Sequence, residues 1–579
     1  MMSKDAVRVP MSKHWELRDT LEGVPDPLLQ GQQVHPLVLG ILAARGFATS
    51  NEIRTFLTPS LSDMLDPFLL RGMDVAVARL IAARRSGEKI CVYGDYDVDG
   101  ITGTALLVSF LRATGCTCSY FIPNRFDDGY GLNSASIESI IALGATLIVS
   151  VDCGITSADE AALCRRRGVD LIIVDHHAPK AVLPDACAVL NPLQPGCAYP
   201  FKSLAGVGVA FNLLVALRAA LREAGAFQGC ETPDLRKWLD LVALGTIADV
   251  VPLTGQNRIY AYHGLKQIAQ PAKPGIQALK RVAGITEGAV TCGQVGFRLA
   301  PRLNAAGRME SAVPGVDLLM SESLDESLLI ASDLDTANAE RQVIERRIFD
   351  EAVSLVESRG EYPGRRSIVL ASAEWHQGVI GIVASRLVER YHRPTILISL
   401  TADGQGKGSG RSIPGFHLLD ALEPCSRHLL RFGGHRFAAG IGLTAADVPA
   451  FAEAFEEVAM RLLTDSDLVP RLTVDAEVEP GEVTKELALE LKRLEPFGMG
   501  NPEPLLMLRR MTVVERRTVG EGQLRLRVSR DGCSFGAIAF NLADRATSGL
   551  IDIAFYPEMN QWNGSSILQL RVRDLRSAE

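Results

Sequence analysis

The stretch KICVYGDYDVDG, residues 89–100, decides the fold class of this chain. It begins with a short apolar run, Ile90 to Tyr93, and continues with three aspartates that lie within five residues of one another. An apolar helical pattern follows from Thr102 to Ala113. A short apolar strand, a polar loop and a helix, in this order, are typical of the start of a βαβ unit.

The same pattern recurs twice downstream. Buried-strand patterns at Thr146 to Val151 and Leu171 to Val174 each end in polar residues, and helical patterns at Ser134 to Leu143 and Ala158 to Arg167 precede them. Short continuous apolar strands that alternate with helices predict a parallel sheet covered on both faces. Ligands of such sheets bind beyond the carboxyl ends of the strands, and the polar residues lie at those ends.

Carboxylates and imidazoles gather at these predicted strand ends and at the end of one apolar helical pattern. They are Asp95, Asp97, Asp99, Asp152, Asp175, His176, His177 and Asp249. Five of them can converge at one edge of the sheet: Asp97, Asp99, Asp152, His176 and Asp249. This set of four carboxylates and one imidazole, with no thiolate, favours Mn²⁺ or Mg²⁺ over structural zinc. Four ligand carboxylates supply enough charge for two ions, and a two-metal centre can activate water and neutralise charge on a phosphoryl group.

The loop that follows the first predicted strand, GDYDVDG (residues 94–100, called the first loop below), has two other interpretations. Its aspartates match the opening of an EF-hand loop, but that motif needs a preceding helix and a Glu at position 12, where this chain has a strand and Leu106. A turn with helix-capping aspartates stays open as an alternative.

The rest of the chain divides into three further regions. Residues 321–361 have apolar residues at helical spacing and predict a long helix that joins two domains, with a surface helix as the alternative. A second α/β pattern runs from Ser367 to about residue 460. After Pro470, five short strand patterns favour a small barrel, with the OB-fold as the leading candidate. The five patterns are Leu472–Val478, Met511–Val514, Leu524–Val528, Ile551–Ala554 and Leu568–Val572.

The charge of the chain limits what kind of nucleic-acid partner it can have. Its 579 residues are 47% hydrophobic and 22% charged with a net charge of −8, which excludes a disordered chain and a protein that coats nucleic acid by bulk charge. Residues 321–361 carry 11 acidic and 4 basic residues, a net of −7, so the remainder carries only −1. Residues 507–530 hold seven Arg and two Glu, and this local excess predicts a basic face that tracks a single strand, with an ordinary solvated barrel face as the alternative.

Three features that the sequence lacks indicate the compartment of the protein and whether it contacts a membrane. The N-terminal residues lack the apolar stretch of a secretory signal, no apolar run is long enough to span a bilayer, and the 11 cysteines include no C-x-x-C pair. We therefore expect a cytoplasmic protein with no membrane partner.

The motifs resemble those of the DHH phosphoesterase superfamily. GDYDVDG, the segment around Asp152, VDHH and GTIAD are similar to its four motifs, and FGGHRFAAG is similar to the GGH motif of its DHHA1 partner domain. Three more segments are similar to the superfamily in the same order: PRLNAAGR (301–308), WHQGVIGIVASR (375–386) and KGSGRSIPGFHLLDAL (407–422). With an OB-like end, this order resembles the single-strand-specific 5′→3′ DNA exonucleases over about residues 40–575.

The resemblance implies an α/β fold class with four parts and a lead-in. These are an N-terminal lead-in packed on the DHH domain (1–85), a parallel-sheet DHH catalytic domain (86–320), a long connecting helix (321–362), an α/β DHHA1 domain (363–462) and a C-terminal OB-like β-barrel that binds nucleic acid (465–579).

It also implies roles for the metal-site residues. Asp97 and Asp152 are expected to hold one divalent ion, and Asp99, Asp152, His176 and Asp249 the other, with Asp152 bridging. Many DHH proteins have a His four residues before the first ligand Asp, where this chain has Tyr93. Tyr is a poor Mn²⁺ ligand at neutral pH, so we expect weaker binding of the first ion.

Catalytic and substrate-binding residues are implied in the same way. His177 is expected to contact the scissile phosphate, Asp175 to orient the His pair, and Asp95 to support them. The residues expected to bind the 5′ phosphate or the nearby backbone are Arg125, Arg308, Ser409 and Arg411, with His435 lining the same cleft. Each Arg taken alone is equally well explained by a surface salt bridge.

The implied function is metal-dependent hydrolysis of single-stranded DNA from the 5′ end, with release of 5′ mononucleotides, in recombination and repair. By resemblance, the partners are single-strand-binding protein and a helicase, and the chain is a monomer. Two other functions are alternatives: a phosphodiesterase for short oligonucleotides or cyclic dinucleotides, which needs little beyond DHH and DHHA1, and a non-catalytic scaffold, which would be expected to lose the ligand positions that are all present here.

Overall fold

The structure is a computed structural model that describes residues 13–18, 34–125, 129, 131–229, 231–285, 288–358, 360, 364–520, 522–543, 545, 549–562 and 565–578. Parts of the expected lead-in (1–12 and 19–33), the end of the expected connecting helix (359, 361 and 362) and the first residue of the expected DHHA1 domain (363) lie outside the described residues. The chain divides into two compact units, one made of 58–341 with 495–502 and the other of 1–57, 342–494 and 503–579.

The N-terminal elements belong to the second of these units. They are β1 (His14–Leu17), α1 (Pro36–Ala44) and α2 (Ser50–Leu57). β1 pairs in parallel with residues Arg471–Val474, and Arg45 forms a buried ion pair with Asp475 at 3.1 Å. These contacts hold β1 and Arg45 to the C-terminal half of the chain.

The parallel sheet and its flanking helices form the first part of the other unit. Its elements are α3 (Met73–Ser86), β2 (Lys89–Tyr93), α4 (Val98–Ala113), β3 (Thr117–Phe121), α5 (Ser134–Ala142), β4 (Leu147–Val151), α6 (Ala158–Arg166), β5 (Asp170–Val174) and β6 (Ala188–Leu190). All pairings are parallel in the order β3-β2-β4-β5-β6. The predicted α/β fold class with a parallel-sheet domain is therefore confirmed.

The strand order places the metal-site motifs side by side. β2, β4 and β5 are neighbours in the sheet, and their interiors are almost fully buried because helices cover both faces. Parallel strands end at the same edge of a sheet, so the residues that follow these three strands meet there.

Helices complete this unit. They are α7 (Gly206–Glu223), α8 (Leu239–Ala248), α9 (Gly255–Ala269), α10 (Pro274–Val282), α11 (Cys292–Gln294), a π-helix (Val295–Leu299), α12 (Ala300–Met309) and α13 (Val313–Met320). α8 and α9 pack closely at Gly264, where an added Cβ would collide with the carbonyl oxygen of Leu239. Asp249 is the C-terminal cap of α8.

The predicted long helix is α14 (Leu324–Ser358), which has 35 residues. It begins where the Ser323 hydroxyl accepts a hydrogen bond from the Glu326 amide. Its C-terminal half is not a solvated helix on all sides, because Ile348, Phe349 and Ala352 are buried in an apolar cluster.

The second α/β region contains a mixed sheet. Its elements are β7 (Ile368–Ser372), α15 (Ile380–Tyr391), β8 (Thr395–Leu400), β9 (Gln405–Arg411), α16 (Leu418–Leu422), β10 (Arg431–Gly434), β11 (Ala438–Thr444) and α17 (Val448–Leu462). The strand order is β10-β11-β9-β8-β7, with only β7 and β8 parallel.

The C-terminal region is a closed barrel of five strands. Its elements are β12 (Arg471–Val474), β13 (Ala476–Glu477), α18 (Lys485–Lys492), β14 (Leu506–Val519), β15 (Gln523–Arg530), β16 (Cys533–Phe540), β17 (Leu550–Trp562) and β18 (Ser565–Ser577). The order β14-β15-β16-β18-β17 closes because β14 also pairs with β17. The barrel prediction is confirmed.

One of the five strand patterns expected to form the barrel was wrong. The pattern at Leu472–Val478 is split between a strand that pairs with β1 and a two-residue strand that pairs with β14. The fifth barrel strand is β16, where CSFGAIAF has small residues that weaken its strand signal. Among the described residues, no helix is both long and apolar enough to cross a membrane.

Candidate metal centre

Carboxylates and imidazoles converge at the carboxyl edge of the parallel sheet. Three groups have ligand atoms that all lie within 4.8 Å of one another. The groups are Asp95, Asp97 and Asp152; Asp99, His176 and Asp249; and Asp152, His176 and His177. The structure thus brings together seven of the eight residues expected at the centre, and the eighth, Asp175, contacts the His pair from behind.

Asp99 is held by the amino end of a helix. Its Oδ2 accepts a hydrogen bond from the Gly206 amide at 2.6 Å and its Oδ1 from the Val207 amide at 2.8 Å, at the start of α7. Burial, together with the charge of Asp97, nevertheless raises the pKa of Asp99 to about 7. Two backbone donors therefore orient this carboxylate without fully compensating its charge.

Asp152 occupies the middle of the cluster. Its backbone is left-handed at φ 63°, a conformation that Asp tolerates better than most residues, and its side chain is nearly fully buried. Gly206 leaves room for it, since a Cβ there would lie 2.8 Å from the Asp152 carboxylate. Its Oδ1 lies 3.2 Å from His176 Nε2. Burial and the charges of neighbouring aspartates raise its pKa well above the usual value.

Asp175 fixes the two histidines. Its Oδ1 accepts hydrogen bonds from the amides of His176 and His177 at 2.7 and 3.1 Å and lies 2.8 Å from His177 Nδ1, while its Oδ2 accepts from the Ile155 amide. Burial opposes ionisation of Asp175, but these hydrogen bonds outweigh it and lower its pKa. The same contact raises the pKa of His177 against the effect of burial.

His176 faces the carboxylates of the cluster. Its Nε2 lies 3.5 Å from Asp249 Oδ2 and 3.9 Å from Asp99 Oδ2. Burial and the neighbouring His177 lower the pKa of His176 to about 4, so its imidazole is neutral near pH 7 and can donate an electron pair to a metal.

The first loop serves both interpretations made from the sequence. Asp97 caps α4, because its Oδ1 accepts hydrogen bonds from the Asp99 and Gly100 amides at 2.9 and 3.2 Å. Its other oxygen does not take part in this cap and can bind a metal with Asp95 and Asp152. Helix capping and metal ligation are therefore compatible rather than alternatives.

The donor set fits divalent cations. Burial and neighbouring charges raise the pKa values of Asp95, Asp152 and Asp249 well above the usual value, and Asp95 Oδ1 and His176 Nε2 are buried without a hydrogen-bond partner among the described residues. Buried polar atoms are normally paired. A divalent ion would satisfy them and remove the repulsion between carboxylates.

Tyr93 does not act as a ligand in this arrangement. It is fully buried and its hydroxyl donates a hydrogen bond to the Gly131 carbonyl at 3.1 Å. Asp95 supplies a third carboxylate to the group around Asp97 and Asp152.

The residues expected to bind substrate lie in both units. The Arg125 guanidinium lies over the ring of Tyr96, 4.9 Å from its centroid. Burial raises the pKa of Tyr96, and the positive charges of Arg125 and Arg308 oppose this rise. Ser409 and Arg411 lie in β9 beside the first turn of α15, because a Cβ at Gly381 would lie 2.8 Å from Ser409 Oγ. His435 is exposed just after β10.

Sequence reasoning missed residues that hold the first loop in place. Asn304 on α12 accepts a hydrogen bond from the Val98 amide at 3.2 Å, and Gly307 lets this helix approach, since a Cβ there would lie 2.6 Å from the Tyr96 carbonyl oxygen. In the sequence, PRLNAAGR is notable for its arginines. Its Asn and Gly carry no signal of contact with a loop about 200 residues earlier in the chain.

Comparisons with known proteins identify the families of three domains in the chain. Residues 89–246 match the DHH family, N-terminal domain; residues 365–461 match the DHHA1 domain; and residues 474–574 match the RecJ OB domain. The single-stranded-DNA-specific exonuclease RecJ of Escherichia coli is 40% identical, with 94% of this chain and 96% of that protein covered.

The chain belongs to the RecJ family. RecJ of Bacillus subtilis is 38% identical, with 98% of this chain and 71% of that protein covered. The crystal structure of RecJ from Thermus thermophilus in complex with Mn²⁺ has a TM-score of 0.84 at 33% identity and covers 98% of this chain and 80% of that chain. The Mg²⁺ complex of the same RecJ has a TM-score of 0.78. With the ligand clusters above, these structures confirm Mn²⁺ or Mg²⁺ as the predicted cofactor.

Mn²⁺ affinity should depend on pH, because the pKa of Asp99 is raised to about 7. Below that pH this carboxylate holds a proton that the ion must displace, and above it the ion meets no such competition. We expect the affinity to rise about tenfold from pH 6 to pH 8 for each proton of this kind displaced. Calorimetric titration in buffers of different ionisation enthalpy measures both the affinity and the released protons. An affinity that is constant or falls over this range would contradict the electrostatics described here.

Replacing the central carboxylate should separate metal binding from folding. Asp152→Asn keeps the shape and tolerates a φ of 63° but removes the charge shared by two ligand groups. We expect Mn²⁺ binding to be lost, while the melting temperature of the metal-free chain stays equal or rises because repulsion with the other aspartates is relieved. The control is Asp185→Asn, an exposed aspartate paired with Arg165. Unchanged Mn²⁺ binding by Asp152→Asn would remove this residue from the centre.

Proposed function

We propose that this chain is a metal-dependent exonuclease that hydrolyses phosphodiester bonds of single-stranded DNA from the 5′ end and releases 5′ mononucleotides. The observation that carries the proposal is the buried cluster of carboxylates and one neutral imidazole at the edge of the parallel sheet, with the His177 side chain beside it. RecJ relatives that match nearly the whole chain bear the name single-stranded-DNA-specific exonuclease.

Two divalent ions would be held, one by Asp95, Asp97 and Asp152 and the other by Asp99, Asp152, His176 and Asp249. When bound, such a pair of ions activates water and stabilises charge on the phosphoryl oxygens. The residues of the chain do the rest. Asp175 fixes the His177 ring through Nδ1, so the opposite nitrogen, Nε2, is the one that can reach a scissile phosphate oxygen. The first loop is kept rigid by the cap of Asp97 and the contact with Asn304.

The 5′ phosphate has candidate partners of the right chemistry in each unit. In one unit, the guanidinium of Arg125 is held in place by stacking on the ring of Tyr96. In the other, Arg411 Nη1 lies 3.3 Å from Ser409 Oγ, and both side chains lie against the first turn of α15. A guanidinium, a hydroxyl and the amino end of a 12-residue helix together favour a phosphate group. We propose that Arg125, Arg308, Ser409, Arg411 and His435 bind the 5′ end.

The barrel offers a basic face for a longer strand. Arg525 and Arg527 are exposed on β15 and alternate with buried Leu524 and Leu526, and Arg517 on β14 is the cross-strand neighbour of Arg525. Cations spaced along one face of a barrel suit the phosphates of a single strand. This favours a polymer over a short oligonucleotide as the substrate. We further propose a monomer that acts in recombination and repair with single-strand-binding protein and a helicase.

Digestion of end-labelled oligonucleotides tests the activity and its direction. With Mn²⁺ present, a single strand labelled at its 5′ end should release labelled mononucleotide at once, whereas a 3′ label should stay in shortening fragments. A blunt duplex of the same sequence should resist. Release from the 3′ end first, or equal digestion of the duplex, would contradict the proposal.

Preference for a 5′ phosphate tests the proposed end-binding residues. Arg411→Met should lower kcat/KM at least tenfold on a 5′-phosphorylated strand, because a charge-assisted hydrogen bond of about 1.5–3 kcal/mol is lost, and much less on a strand with a 5′ hydroxyl. Arg390→Met is the matched control, since Arg390 lies at the other end of the same helix in an ion pair with Glu357. An equal loss of kcat/KM on the 5′-phosphorylated and the 5′-hydroxyl strands would assign Arg411 to general strand binding instead.

A further inference from the structure

Eight residues from the C-terminal half of the chain belong to the compact unit that contains the metal centre. Residues 495–502 cluster with 58–341, although their chain neighbours on both sides belong to the other unit. The nearly fully buried guanidinium of Arg258 holds them, donating hydrogen bonds to the carbonyl oxygens of Glu495 at 2.7 Å and Pro496 at 3.4 Å. Asn501 is also buried and donates to the Pro496 carbonyl oxygen at 2.9 Å.

This segment lies directly on the loop that follows Asp249. The Leu253 amide donates a hydrogen bond to the Met499 carbonyl oxygen at 2.7 Å. Gly500 lies so close that an added Cβ would be 3.0 Å from the Cβ of Pro252. From the other side, Asn257 Nδ2 donates to the Pro252 carbonyl oxygen at 3.0 Å. The loop 250–254 is therefore held between α9 and residues 495–502.

The loop needs such a restraint because its first residue is strained. Val250 has a φ of 60°, which is unfavourable for a β-branched side chain and persists only where the surroundings enforce it. Val250 immediately follows Asp249, whose Oδ2 lies 3.5 Å from His176 Nε2. Relaxation of Val250 would rotate the backbone that carries this carboxylate.

We propose that residues 495–502 are a positioning element for Asp249: by clamping the loop 250–254, they keep its carboxylate in the geometry that binds the metal. The element does not touch the metal or the substrate. The inference rests on the proposed function, because it takes Asp249 as a ligand, and it adds a residue set that none of the metal-site motifs contains.

Gly500→Ala tests the clamp in the full-length chain. Gly500 has a φ of 72°, and the added methyl group would push against Pro252. We expect a loss in Mn²⁺ affinity of about tenfold or more, the effect usual for residues that orient a metal ligand, measured by calorimetry on the metal-free chain. Gly404→Ala is the matched control: its φ of 78° imposes similar backbone strain, but no atom lies within 4 Å of the added Cβ. It should bind Mn²⁺ like the unmodified chain.

Three further measurements distinguish failure of the clamp from failure of the ligand assignment. Asn501→Ala adds no atom and should give the same direction of change if Gly500→Ala does not fold. Hydrogen exchange at the Leu253 amide should become faster in either variant. Asp249→Asn should weaken Mn²⁺ binding on its own. Normal Mn²⁺ affinity in folded Gly500→Ala and Asn501→Ala, beside weakened binding by Asp249→Asn, would overturn the inference alone, whereas normal binding by Asp249→Asn would overturn the ligand assignment and the inference with it.

Discussion

Mutual repulsion between buried carboxylates is the constraint on which the rest of this structure depends. Asp95, Asp99 and Asp152 are each no more than 2% exposed, and burial and neighbouring charges raise the pKa values of all three. Such a cluster costs free energy that only protons or cations can offset. A fold that keeps it must supply a rigid frame, and protons or bound cations must offset the charge.

The frame comes from elements far apart in the sequence. Strand order brings three strand ends together, and two amides of α7 fix the Asp99 carboxylate. A Cβ at Gly206 would collide with Asp152, and a Cβ at Gly245 would collide with Thr102 and Val207 and lie 3.0 Å from Asp99 Oδ1. Asp152 and Val250, the residue after Asp249, both have a left-handed backbone, a conformation that persists where the surroundings enforce it.

The sequence predicted the parallel sheet and the convergence of its ligands because both follow from local signals. An apolar run with polar residues at its carboxyl end identifies both a strand and a site residue. Because parallel strands end at the same edge of a sheet, these polar residues meet there. The barrel was also predictable from the spacing of its strand patterns, although CSFGAIAF was not among them because Gly and Ala weaken the strand signal.

Contacts between distant segments could not be predicted from local patterns. The pairing of HWEL with residues 471–474 depends on a partner more than 450 residues away, and no periodicity encodes it. The contact of Asn304 with the first loop and that of residues 495–502 with the loop after Asp249 have the same character. Tyr93 illustrates a further limit, because its hydroxyl donates a hydrogen bond to the Gly131 carbonyl oxygen, a contact that no local pattern around Tyr93 encodes.

Anomalous diffraction at the manganese absorption edge, from crystals of the Mn²⁺-loaded chain, tests the central claim most directly. We predict two peaks at the carboxyl edge of the parallel sheet, one among Asp95, Asp97 and Asp152 and the other among Asp99, Asp152, His176 and Asp249. A single peak, or peaks away from these carboxylates, would contradict a two-metal centre at this edge.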